Sequence, residues 1–134
     1  MSTPAYLPVL GRVLIALIFV MSGLSKIAAP AATIAYIQSA GAPLPPLAFA
    51  VAVIVEVVGG LALIAGFRTR LAAAVLAVFT LATAVLFHNN MADQNQMIHF
   101  LKNIAITGGL LQVIAFGAGA FSLDNRRKSA SVPA

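Results

Sequence analysis

The sequence contains no cysteine, only three acidic residues among 134, and only two histidines. Without cysteine, this chain alone cannot build a disulfide, a thiolate nucleophile, an iron–sulfur ligand set or a dithiol relay. Any redox chemistry must therefore come from a bound molecule or a partner. The two histidines, His88 and His99, do not show the spacing of metal ligands, so we predict no metal site.

Charged residues are scarce as well, at 8% of the chain, whereas 61% of the residues are hydrophobic. Soluble globular domains have about 25% charged residues, so this composition indicates one small membrane domain. The formal net charge is +5, but the basic residues lie at the ends of apolar runs and not in one polar patch. They are typical of membrane anchors, and we expect a lipid bilayer and not nucleic acid as the environment.

Four apolar runs are long enough to cross a bilayer as helices, which takes about 20 residues. We therefore predict an all-α fold, an integral membrane four-helix bundle with a short interfacial helix between spans 1 and 2. In the connection between those spans, Pro30 can begin the short helix and Gly41 can end it. The predicted spans are 8–27, 47–67, 71–88 and 99–121, within one domain of residues 1–124 that precedes a basic cytoplasmic tail, 125–134.

The first apolar run also has the length of a signal-peptide core and is followed by small residues. Two features favour a retained helix. Lys26 stands immediately before the supposed cleavage site, and the later spans need a packing partner.

The distribution of basic residues predicts the orientation, because cytoplasmic ends of spans are enriched in Lys and Arg. With four spans, one side of the membrane has only two basic residues, Lys26 and Lys102. We therefore expect a multi-pass protein of the bacterial inner membrane with both termini in the cytoplasm. Arg12, about one turn into the first span, can reach the cytoplasmic headgroups. The side predicted to be cytoplasmic has six basic residues: Arg12, Arg68, Arg70, Arg126, Arg127 and Lys128.

Glu56 is the most informative single residue, because it lies in the middle of the second apolar run. An acid at that depth is costly and usually faces a partner or a cavity. One interpretation is a structural acid, either protonated or paired with a basic residue. The other is a proton-exchanging group in a ligand site. The basic residues considered as partners are Lys26, Lys102 and Arg12.

The predicted topology brings further polar residues to the same, outer half of the bundle. His88 ends the third span there, and Lys102 and Asn103 begin the fourth. The lysines can also be anchors, and Asn103 can simply bond a neighbouring helix. Two glycine pairs, 59–60 and 108–109, allow close helix approach, and Gly60 and Gly109 share helix faces with the polar residues. The candidate catalytic residues are Glu56 and His88, and the candidate ligand-binding residues are Lys26, Lys102, Asn103, Gly60 and Gly109.

Taken together, several segments resemble the DoxX family of small four-helix membrane proteins. They are the first span, the E-x-x-G-G of the second span, the G-F-R-T-R turn, the F-H pair, the run FLKNIAITGGLL and the final S-L-D. The resemblance covers nearly the whole chain. It implies a four-helix fold in the inner membrane and an association with oxidoreductase systems, some of them quinone-linked.

Two kinds of function follow from these observations. In the first, the outer half of the bundle binds a quinone-like amphipathic redox molecule, with Glu56 exchanging a proton, Lys26 or Lys102 steadying a carbonyl and His88 linking the site to water. In the second, the chain is a non-catalytic subunit or assembly factor that acts through a membrane protein partner or as a homo-oligomer. Transport is a weaker third alternative, because four helices alone make a small pathway.

Overall fold

The computed structural model describes residues 4–131 and contains six α-helices, with side chains described up to residue 128. This part of the chain contains no β-strand. Residues 1–3 of the predicted domain and residues 132–134 of the predicted tail lie outside the described residues. The helices are α1 (Tyr6–Ala28), α2 (Pro30–Ser39), α3 (Pro45–Ala65), α4 (Thr69–Phe87), α5 (Gln94–Phe116) and α6 (Leu123–Ser131).

Four of these helices, α1, α3, α4 and α5, are long and apolar enough to cross a membrane. Many of their large apolar side chains point outward: Leu14 and Val78, for example, are more than half exposed. In a bilayer these side chains contact lipid, which explains why the bundle is apolar on its outside as well as inside. The prediction of an all-α membrane bundle with a short helix between spans 1 and 2 is confirmed.

The bundle consists of two closely packed helix pairs, α1 with α3 and α4 with α5, which are joined by contacts between α3 and α4. The short helix α2 packs mainly against α3 and buries Ile37. The core lies where the four long helices meet. Its buried residues include Ala16, Phe19, Leu63, Leu76 and Leu110.

Close contact between α1 and α3 depends on glycine. A Cβ atom on Gly60 would lie 2.6 Å from Cγ2 of Val20, and one on Gly23 would lie 2.5 Å from Cγ2 of Val57. Each glycine thus receives a valine of the opposite helix. Small residues of this kind let membrane helices approach closely, where dispersion contacts and interhelical hydrogen bonds stabilise them.

The boundaries of α5 differ from those predicted for the fourth span. The helix begins at Gln94, because the Asp93 carboxylate accepts hydrogen bonds from the backbone N–H groups of Asn95 and Gln96. It ends at Phe116, because Gly117 has a φ of 79° that does not continue a helix. The apolar residues that follow Phe116 therefore leave the helix and turn back over the end of the bundle.

Much of the predicted basic tail is helical, since Leu123–Ser131 forms α6. The carboxylate of Asp124 accepts hydrogen bonds from the backbone N–H groups of Arg68 (2.7 Å) and Thr69 (2.8 Å). These N–H groups begin α4 and have no partner within that helix. Asp124, in the first turn of α6, thereby caps the N-terminus of α4. The same hydrogen bonds hold the start of α6 against the α3–α4 turn.

The expectation that Arg12 reaches the headgroups is wrong. Arg12 is 1% exposed, and its guanidinium donates hydrogen bonds to the carbonyl oxygens of Leu63 (2.7 Å), Ile64 (3.1 Å) and Phe121 (2.7 Å). The last carbonyls of a helix lack partners within that helix, and the returning segment after α5 supplies another. Arg12 stays inside because its guanidinium finds these three carbonyl acceptors within the bundle.

Candidate functional site

A cavity of about 400 Å³ lies in the half of the bundle that contains the end of α1 and the start of α3. All five helices from α1 to α5 contribute to its wall. Most of the wall is apolar, and α2 covers one side of it with Tyr36 and Ile37. The ring of Tyr36 stacks on that of Phe87 at the end of α4, with 5.5 Å between the ring centroids. Apolar cavities of this size with a few polar groups are typical of small-molecule sites.

The main polar group in the wall is an ion pair between α1 and α3. The Nζ atom of Lys26 lies 2.9 Å from Oε2 and 3.1 Å from Oε1 of Glu56. The hydroxyl of Ser22, one turn before Lys26, donates to Glu56 Oε1 at 3.1 Å and accepts from Lys26 Nζ at 2.7 Å. Glu56 is 5% exposed, whereas the Lys26 side chain is 24% exposed. Of the three cations considered as partners of Glu56, the structure places Lys26 beside it.

A second polar group lies on α4 and α5. Asn103 donates through Nδ2 to the carbonyl oxygen of Thr80 and to the hydroxyl of Thr83, both at 3.3 Å. Within residues 4–131, its side-chain oxygen accepts no hydrogen bond. The amide can therefore still accept a hydrogen bond from a molecule in the cavity.

His88 follows the last residue of α4 and forms part of the cavity wall. Its ring stacks on that of His99, with 5.0 Å between centroids. Partial burial lowers the pKa of His88 below its ordinary value, and the nearby His99 and Lys102 lower it further. His88 is therefore neutral at pH 7, and its ring can pass a proton between the cavity and water. Nowhere in the described chain do three or more His, Cys, Asp or Glu residues form a group that could hold a metal ion.

The other predicted site residues lie outside this cavity wall as the structure describes it. Lys102 is exposed, and its positive charge lies near His88. Gly60 lies at the α1–α3 contact, and a Cβ atom on Gly109 would lie 3.3 Å from Ile15 on α1. Both glycines lie at contacts between α1 and a neighbouring helix.

Sequence reasoning missed Ser22, Tyr36 and Thr83 as parts of the wall. Ser22 had a usable signal, since it is four residues before Lys26 and so shares its helix face. Tyr36 had none, because its place depends on how α2 folds back over α3. Thr83 is one of several hydroxyl residues on α4, and its role depends on the register of α4 against α5.

Comparison with known proteins gives a consistent family assignment. The family model described as DoxX matches residues 7–89, which include Lys26, Glu56 and His88. "Inner membrane protein YqjF" of Escherichia coli (strain K12) is 39% identical over 113 residues, which cover 84% of this chain and 85% of the relative. "Inner membrane protein YphA" of the same organism is 38% identical over 122 residues, which cover 87% of each chain. No solved structure matches this chain significantly.

Proposed function

This chain belongs to the DoxX family of inner-membrane proteins, and we propose that its cavity binds a quinone-like amphipathic redox molecule. The observation that supports this proposal is the buried Lys26–Glu56 pair in the wall of an otherwise apolar cavity. A quinone has the matching chemistry, since a flat apolar ring carries two carbonyl oxygens and an isoprenoid tail. The ring suits the apolar walls, and the tail can extend toward the lipid.

Each polar residue of the wall has a role in this proposal. The ammonium of Lys26 can donate a hydrogen bond to one quinone carbonyl, and the side-chain oxygen of Asn103 can accept one from a hydroxyl of the reduced form, the quinol. Glu56 exchanges a proton with that molecule, and His88 carries the proton to or from water. The role of this chain is thus to hold the molecule and move a proton, while a membrane redox partner handles the electrons.

The second candidate function is that of a non-catalytic subunit or assembly factor. The hydrogen bonds of the same ion pair favour it. Both oxygens of Glu56 are already bonded within the protein, by Lys26 and Ser22. A satisfied pair of this kind can simply fix the register of α1 against α3, as single buried polar groups do in helical assemblies. The exposed apolar faces of the bundle then serve to contact a membrane protein partner or a second copy.

A binding experiment with a matched pair of variants tests the quinone proposal. Ala48 lies in the cavity wall, whereas Ala50, two residues later on α3, is exposed. We expect a short-chain ubiquinone analogue to raise the melting temperature of the purified wild type and of Ala50→Phe, but not of Ala48→Phe. Lipid extraction of the purified wild type followed by mass spectrometry should also find a co-purified quinone.

The opposite results would contradict the proposal. If the analogue does not stabilise the wild type and no quinone co-purifies, the cavity is not a quinone site. If Ala48→Phe is stabilised as much as the wild type, the molecule binds elsewhere on the protein. The melting temperature of each variant without the analogue serves as the folding control.

A further inference from the structure

A second cavity, of about 590 Å³, lies at the other end of the bundle. It is bounded by the α3–α4 turn, the end of α5 and the start of α6. Its wall contains four cationic side chains, Arg68, Arg70, Arg127 and Lys128, and one acid, Asp124. The proposed quinone site does not involve any of these residues.

Asp124 does not neutralise this cavity. Partial burial alone would raise the pKa of its carboxyl, but hydrogen bonds from Thr69 and Arg68 and the charge of Arg127 hold that pKa below its ordinary value. Asp124 is therefore ionised at neutral pH and offsets one positive charge. The three arginines alone, Arg68, Arg70 and Arg127, exceed this one acid by two positive charges around the cavity.

The arginines are positioned so that their donors remain open to the cavity. The guanidinium of Arg70 lies against Gly117, where an added Cβ atom would be 3.2 Å from its Nε and Nη2 atoms. Within residues 4–131, the side chain of Arg70 forms no hydrogen bond or ion pair. Arg68 and Arg127 both lie near the ring of Phe67, with their Cζ atoms 5.9 and 5.7 Å from its centroid.

We infer that this second cavity binds the phosphate group of an anionic phospholipid. Guanidinium groups bind phosphate through paired hydrogen bonds, and basic pockets between membrane helices suit anionic headgroups. The cavity lies at the turn between α3 and α4, two helices long and apolar enough to cross a membrane. The ends of such helices are expected near the level of the lipid phosphates. Phe116 in its wall is 79% exposed, and Phe121 close by in the chain is 65% exposed, so apolar surface for the acyl chains adjoins the cations.

Arg126 provides a matched control. It lies on α6 beside Arg127 and is exposed, but it is not part of the wall of this cavity as described. We would measure lipid binding to delipidated full-length protein by native mass spectrometry, with phosphatidylglycerol and phosphatidylcholine of identical acyl chains. We expect the wild type to bind phosphatidylglycerol at least tenfold more tightly. Arg70→Gln and Arg127→Gln should each weaken that binding at least fivefold, and Arg126→Gln less than twofold.

Three results would overturn the inference. Equal binding of the two lipids would show that the net negative charge of the headgroup is not recognised. Equal losses in Arg126→Gln and Arg127→Gln would show that only the general surface charge matters. If inorganic phosphate at millimolar concentration displaces phosphatidylglycerol completely, the site takes a free anion and not a lipid. Circular dichroism and the lipid-free melting temperature establish that each variant is folded.

Discussion

The guanidinium of Arg12 donates a 2.7 Å hydrogen bond to the carbonyl oxygen of Phe121, 109 residues later in the chain. The same side chain bonds the last turn of α3 through the carbonyls of Leu63 and Ile64. A single cation on α1 therefore joins three distant segments at one end of the bundle. The other end is joined by the Lys26–Glu56 pair, so buried polar contacts connect α1 to α3 at both ends.

Replacing Arg12 by Gln should destabilise the protein. The shorter, neutral side chain cannot reach all three carbonyl oxygens, so hydrogen bonds from a buried charged donor are lost. Since hydrogen bonds to charged groups contribute about 1.5–3 kcal/mol each, we expect a loss of about 3 kcal/mol in the free energy of unfolding. Thermal unfolding in detergent is the measurement, and Arg126→Gln, an exposed change of the same type, is the control. Equal melting temperatures for the two variants would contradict this role of Arg12.

The two glycine pairs should differ in their response to alanine. A Cβ atom on Gly60 would meet Val20 at 2.6 Å, whereas one on Gly108 would have nothing within 4 Å. We expect Gly60→Ala to lower the free energy of unfolding by about 1–3 kcal/mol through overpacking. Gly108→Ala should leave it unchanged or raise it by up to about 1 kcal/mol, because alanine favours helix. A loss of stability in Gly108→Ala equal to that in Gly60→Ala would contradict the packing described for α1 and α3.

The end of α5 and the position of Arg12 show how far the sequence predicts the fold. Hydropathy locates the four spans because the lipid requires long apolar helices. It does not locate the end of α5, because the residues after Gly117 are still apolar although they are no longer helical. It also fails for Arg12, whose partners are backbone carbonyls, groups that every residue has and that give no sequence signal.

The candidate site could be predicted in part. The depth of Glu56 and the antiparallel order of the spans place Lys26, His88 and Asn103 in the same half of the bundle. They do not determine which cation reaches the acid. That depends on the rotation of α1, which packs Gly23 against Val57 on α3 and so turns Ser22 and Lys26 toward Glu56.

The orientation of the chain in the membrane remains a prediction from its basic residues. Arg68, Arg70, Arg127 and Lys128 gather around one cavity at one end of the bundle. The positive-inside rule places that end in the cytoplasm. We expect a phosphatase fused after residue 134 or inserted in the α3–α4 turn to be inactive and a fluorescent protein there to be bright. An active phosphatase at either position would reverse the orientation.

His88 should make stability depend on pH near and below the ordinary histidine pKa of 6.5. Its pKa is lower in the folded protein than its ordinary value of 6.5, because of burial first and then His99 and Lys102. As pH falls through 6.5, the unfolded chain takes up a proton before the folded one does, so stability decreases. Asp124, whose lowered pKa starts from 3.8, does not contribute in this range. We expect the melting temperature to fall on acidification in the wild type and to fall less in His88→Gln.

The final prediction separates the two candidate functions through Glu56 and its partner. Glu56→Gln removes the negative charge and leaves Lys26 partly buried beside a neutral group. Breaking a buried ion pair from one side costs about 3–5 kcal/mol, and less here because Lys26 is partly exposed. Replacing both residues, as Glu56→Gln with Lys26→Met, also removes the positive charge of Lys26, which would otherwise have no acid beside it. We therefore expect the melting temperature to fall in the single variant and to recover in the double variant.

The response to a short-chain quinone in the double variant then decides between the functions. If the pair only fixes α1 against α3, any stabilisation by the quinone analogue seen in the wild type should persist once folding is restored. If Lys26 and Glu56 contact the molecule, the double variant should fold as well as the wild type and show no such stabilisation. Lys102→Met, which removes an exposed lysine at the same end, controls for the lost charge. A double variant that folds and still responds to quinone would exclude Glu56 from the ligand site and favour the non-catalytic subunit.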